Sequence, residues 1–146
     1  MPAYLTSRVA GGTIGPFKFI QGQPGVMLGA LQCTGAGVEI IGVGPEWTNA
    51  MMGQSYQTSL VPQGFPAATT GQRVRVYGDG EEALLQVGSG YTIMPDTILV
   101  SDASGNGIPF STTAGTSWIG ARAIEAGVAG DVIRVIVKTQ APYKAT

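Results

Sequence analysis

The amino-acid sequence predicts an all-β fold: a compact β-barrel or β-sandwich of short antiparallel strands with a long apolar loop insertion and extended termini. Three observations lead there. Val, Ile and Thr supply 38 of the 146 residues, and they gather in short runs, a composition that suits a pleated, half-buried surface. Those runs are bounded by Gly, Pro, Asn or Asp, and with 23 Gly and 9 Pro the chain is rich in turn formers. Apolar residues at helical spacing are nearly absent. A hydrophobic content of 44% suffices for a core and argues against disorder, and the length suits one domain.

Taken in order, residues 1–15 are Gly- and Thr-rich with a single charge, Arg8, and read as an extended N-terminal arm. Residues 16–138 read as one β domain. Its expected strands are Pro16 to Ile20, Val26 to Gln32, Val38 to Val43, Arg73 to Tyr77, Ala83 to Val87, Thr97 to Ser101, Ser117 to Ile124 and Val132 to Lys138. The last alternates cleanly, with Ile133, Val135 and Val137 on one face and Val132, Arg134, Ile136 and Lys138 on the other. Turn signals separate the runs: Gly78-Asp79-Gly80, Gly88-Ser89-Gly90, Asp102 to Gly107 and Ala129-Gly130-Asp131. Residues 139–146, with Pro142, read as a tail beyond the final strand. A short echo links Gly71-Gln72-Arg73-Val74-Arg75-Val76 with Gly130-Asp131-Val132-Ile133-Arg134-Val135, which would fit two related β-units.

The stretch 44–70 is the long loop insertion. It has no charge between Glu46 and Arg73 and no sustained alternation. Loops of this length in compact domains are usually functional or carry structure of their own, and Pro45 to Met52 could form a short helix. Its large apolar side chains, Trp47, Met51, Met52, Tyr56 and Phe65, are the expected interface anchors, since monomers seldom expose large contiguous apolar patches and Trp and Tyr are favoured at binding hot spots. The competing reading is a private satellite core beneath the loop.

Composition narrows the chemistry. A net charge of −1, with Lys and Arg scattered singly, gives no footprint for nucleic acid or an anionic membrane. The chain has no His, so the commonest general base and metal ligand at neutral pH is missing, together with Ser-His and Cys-His arrangements. Cys33 is the only cysteine; it can form no internal disulfide and reads as a small buried residue. Residues 19–38 are uncharged but too broken by Gly, Gln and Pro24 for a membrane helix, and Met1-Pro2-Ala3-Tyr4 has no basic n-region, so no export signal is expected.

Three constellations resemble functional motifs and read better as structure. Asp102-Ala103-Ser104-Gly105-Asn106-Gly107 is similar to the opening of an EF-hand loop, but the closing position is Thr113 rather than Glu. Gly115-Thr116-Ser117-Trp118-Ile119-Gly120 lacks the spacing of a nucleophile elbow, and Gly88-Ser89-Gly90 lacks the Lys and helix of a phosphate loop. Glu81 and Glu82 are adjacent, so a strand would point them to opposite faces, while Glu39, Glu125 and Asp131 lie near Arg122 and Arg134 and suit ion pairing. No catalytic residue, metal, cofactor or small-molecule substrate is therefore expected, and the protein reads as no enzyme.

The second half runs Thr92-Ile93-Met94-Pro95-Asp96-Thr97-Ile98-Leu99-Val100-Ser101-Asp102, then Gly105-Asn106-Gly107-Ile108-Pro109, then Ile119-Gly120-Ala121-Arg122-Ala123-Ile124-Glu125-Ala126, then Ala129-Gly130-Asp131-Val132-Ile133-Arg134-Val135. With Gln23-Pro24-Gly25-Val26 and Ile40-Ile41-Gly42-Val43 upstream, this order resembles the small capsid decoration, or cement, proteins of tailed bacteriophages, over roughly residues 20–138. The resemblance implies a non-catalytic virion protein on the outer surface of the capsid. Its partner would be the major capsid protein, and it would act commonly as a homotrimer and in some cases as a dimer. The length and apolar content of 44–70 depart from that pattern. The alternative from another class is a trimeric β-structured tail-fibre or receptor-binding module that holds carbohydrate on exposed aromatics.

Overall fold

A computed structural model describes residues 7–44, 70–110 and 116–144. Among them the chain is all-β, with no helix. Twelve strands follow in order: β1 (Ser7–Ala10), β2 (Lys18–Gly22), β3 (Gly29–Gln32), β4 (Ile40–Gly44), β5 (Arg73–Arg75), β6 (Glu82–Gln86), β7 (Thr92–Ile93), β8 (Ile98–Ser101), β9 (Gly107–Pro109), β10 (Thr116–Ala123), β11 (Gly127–Val128) and β12 (Val132–Lys144).

The first sheet has the order β4-β2-β3-β1-β5. β2 and β3 form a hairpin with Ile20 opposite Gln32, β2 pairs antiparallel with β4, and β1 lies parallel to β3 with Val9 opposite Gly29. Beyond β5 the chain returns to the open edge of β4, where Tyr77 and Val43 exchange both backbone hydrogen bonds at 2.8 and 3.1 Å. The sheet is thereby curled into a half-barrel. Its concave side is filled by Ala10, Ile14, Ile20, Ala30, Val74 and Val76, with Ile41 packed against them.

The second sheet, β6-β12-β10-β8-β9, is antiparallel throughout. It also bends back on itself, because Val87, just past β6, bridges Gly107 of β9, and the amide of Gly88 donates to the Gly107 carbonyl at 2.8 Å. β7 and β11 pair as a small separate ribbon.

The main core lies between the two sheets. Phe19, Cys33, Ile40, Val43 and Tyr77 come from the convex side of the first; Leu85, Leu99, Ala121, Ile133, Val135 and Val137 come from the second. Strands β2 and β4 are therefore covered on both faces: Phe19 and Ile40 point into this core, while Ile20 and Ile41 point into the half-barrel. That double burial is why Ile40-Ile41-Gly42-Val43 is a continuous apolar run rather than an alternating one. Each large side chain removed from water here contributes roughly 1.5–3 kcal/mol. Close approach depends on Gly120 of β10, where a Cβ would sit 2.4 Å from a ring carbon of Phe19. Cys33 is fully buried, and its Sγ donates to the Gly35 carbonyl at 3.4 Å.

Several boundaries differ from the sequence expectations. The arm expected over 1–15 is, from Ser7 on, part of the first sheet: β1 is held between β3 and β5, and Ala10 and Ile14 are buried. The tail expected over 139–146 continues β12 to Lys144, paired with Thr116 of β10. The strand expected from Val26 begins at Gly29, because Val26 and Gly29 close a turn onto Gln23. The two echoed segments hold unlike places, β5 at the margin of the first sheet and β12 in the interior of the second.

Candidate interaction surface

All five expected anchors, Trp47, Met51, Met52, Tyr56 and Phe65, fall in 45–69, outside the described residues, as does the expected short helix. The structure instead brings other apolar side chains to the surface. At the tip of the β2–β3 hairpin, Val26, Met27 and Leu28 are all exposed, Met27 at 91%. Leu28 has a left-handed backbone with φ of 60°, a region uncommon outside Gly and costly for a bulky residue. Val9 of β1 donates its amide to the Leu28 carbonyl at 2.9 Å and is itself exposed, so the hairpin tip and β1 present one apolar edge. A second set, Tyr91, Met94, Ile98 and Val128, is exposed along β7, β8 and β11. Sequence reasoning missed the first set because Val26-Met27-Leu28 looks like the start of a strand. The preceding Pro24-Gly25, an ordinary turn pair, was the available signal.

The charged side chains serve as local ties. Arg134 reaches Glu125 at 3.3 Å and Glu82 at 3.8 Å, and Arg122 reaches Asp96 at 3.5 Å, all substantially exposed and so worth little each. Glu81 accepts the Gly78 amide at 2.8 Å, and Asp131 accepts that of Val128 at 3.0 Å. Asp79 accepts both the amide and the hydroxyl of Thr139, at 2.6 and 2.8 Å, pinning the turn before β6 to β12. Arg75 lies over the ring of Tyr77 with its guanidinium carbon 4.5 Å from the centroid, a cation–π contact. Among the described residues no three metal-ligating groups converge.

The Asp102–Gly107 segment is the β8–β9 turn. Oδ1 of Asp102 accepts the amides of Ser104 and Asn106 at 2.8 and 2.9 Å, a closed Asx arrangement. The turn docks on the first sheet: Phe19 donates its amide to the Gly105 carbonyl at 2.7 Å, and Gln32 Nε2 donates to the Ser104 carbonyl at 2.8 Å. Lys18 completes the junction, its Nζ donating to Asn106 Oδ1 and to Gln86 Oε1. Burial lowers the pKa of this amine below its ordinary value, with the Asp102 charge acting in the opposite sense.

Two curled sheets thus share one core, are tied by a polar clip and carry exposed apolar side chains at their edges. No family model matches the chain, and no curated protein matches it. Among solved structures it is similar to the N base of the head fiber gp8.5 of bacteriophage phi29, with a TM-score of 0.59 and 10% identity over 90% of this chain and 91% of that one. At that identity the likeness is one of fold, and it runs nearly end to end through both chains.

Proposed function

We propose that this protein is a non-catalytic structural component of a tailed-bacteriophage head, a decoration or cement protein that binds the outer surface of the assembled shell and stabilises it. The observation that supports this most is the fold shared over nine-tenths of the chain with a base domain of a head fiber. The exposed apolar hairpin around Met27 supplies surface of the kind that adhesion uses. Under this reading the protein works as a homo-oligomer, a trimer before a dimer, with the major capsid protein as its partner. It works through contact alone, and binding that favours the assembled shell stabilises it by mass action. The alternative tail-fibre reading has less support, since the matching fold comes from a head appendage.

Immunogold labelling of intact virions tests this directly. Label over the head, at many copies per particle, is expected; label confined to the tail tip, or none, would overturn it. Light scattering after size exclusion tests the oligomer, with a clean monomer at micromolar concentration counting against it.

A further inference from the structure

The clip between the two sheets sets an amine against two carboxamides. The Lys18 Nζ is 2.5 Å from Oδ1 of Asn106, whose carboxamide carbon is thus one bond further on, and 2.9 Å from Oε1 of Gln86. The lysine stem passes between Gly15 and Gly105, where a Cβ on either glycine would lie 3.3 Å from it, and Gly105 has a φ of 80° that makes room for the approach. Asn106 is fixed at its amide by Asp102 Oδ1, and its carbonyl accepts the Asp102 amide at 2.9 Å. The two residues lie 88 positions apart in sequence, one in β2 of the first sheet and the other in the β8–β9 turn of the second.

We propose that Lys18 and Asn106 become joined by an intramolecular isopeptide bond that staples β2 to the β8–β9 turn. The neutral amine of Lys18 attacks Cγ of Asn106. An Nζ–Cγ bond forms, the Cγ–Nδ2 bond breaks, and Nδ2 leaves as ammonia after taking one proton from Nζ. No oxidant, reductant or other reagent is consumed. Burial of the amine favours the neutral, nucleophilic form, and holding both groups near contact distance supplies the orientation that a bimolecular aminolysis lacks. Asn106 is preferred to Gln86 because its oxygen lies closer to Nζ.

Whole-protein mass spectrometry after incubation of the folded chain at neutral pH tests the bond. The expected mass is about 17 Da below that of the sequence, the loss of one ammonia, and protease digestion should yield one branched peptide joining the segments that hold residues 18 and 106. Lys18→Arg and Asn106→Ser, each folded by circular dichroism, should both return to their full sequence masses. An unmodified mass for the wild-type chain would overturn the proposal. So would a loss of the same size that persists in Lys18→Arg, because that would mark a cyclic imide at Asn106-Gly107. The readout is independent of head binding, so it fails or stands apart from the proposed function.

Discussion

Replacing Gly120 by Ala probes the contact between the two sheets at its tightest point. The added Cβ would lie 2.4 Å from Phe19 Cε1, 2.9 Å from Phe19 Cδ1 and 2.9 Å from Ile40 Cδ1, distances that real Cβ atoms do not adopt. Phe19 and Ile40 are fully buried and cannot swing into solvent, so β10 must move away from β2 and β4 or the ring must leave its rotamer. Overpacking of this kind costs about 1–3 kcal/mol, which for a domain of this size lowers Tm by roughly 3–10 °C. Gly22→Ala is the control: it lies in β2 with nothing within 4 Å of the new methyl, and it should leave stability unchanged or raise it by up to about 1 kcal/mol. Adding Phe19→Leu to Gly120→Ala relieves the clash, so the pair should couple favourably by about 0.5 kcal/mol or more. Urea midpoints and calorimetric Tm values of the wild type, Gly120→Ala, Phe19→Leu and the double variant supply the cycle, with Gly22→Ala measured beside them. A Gly120→Ala protein as stable as Gly22→Ala would refute the packing of the two sheets described here.

Three further outcomes are expected. Asp79→Ala removes both bonds to Thr139 and should cost about 1 kcal/mol, with faster hydrogen exchange at the Thr139 amide; unchanged exchange would show that the tie is not made in solution. Met27→Ser alters a side chain that is 91% exposed, so stability should hold within about 0.5 kcal/mol while attachment to heads weakens; full attachment would remove the hairpin from the interface. In Asn106→Ser, where Lys18 stays a free amine, its burial holds the folded-state pKa below 10.5. The unfolded chain then binds more protons between the two values, so stability should rise with pH through that window, and a fall in the denaturation midpoint there would contradict the buried position of Lys18.

The strand runs that the sequence displays openly are those with enough residues to repeat. Val132 to Lys138 alternates, and Ile133, Val135 and Val137 are indeed the buried set. The runs at 40–43 and 98–101 show as apolar stretches between turn formers, and they form β4 and β8. What stayed hidden was structure set by distant partners. β7 and β11 have two residues each and exist because Gly127 meets Ile93 and Val128 meets Thr92. β9 is Gly107-Ile108-Pro109, which reads as a turn. β1, in a stretch of Ser, Arg and Gly, is a strand because β3 and β5 flank it, so from Ser7 on non-local pairing overrides the local composition that reads as an extended arm. The Lys18 clip was invisible for the same reason: Gln86 and Asn106 are 68 and 88 positions away, and only the folded sheets bring them to one amine.

The central claim, attachment to the outside of a phage head, meets its most direct test in reconstitution. Heads assembled without this protein are mixed with the purified chain, sedimented away from unbound material and imaged by cryo-electron microscopy. The account predicts saturable co-sedimentation and added density at symmetry-related positions on the outer shell, into which the two-sheet fold docks. Heads that remain bare at saturating protein, or density found only at the tail vertex or inside the shell, would contradict it.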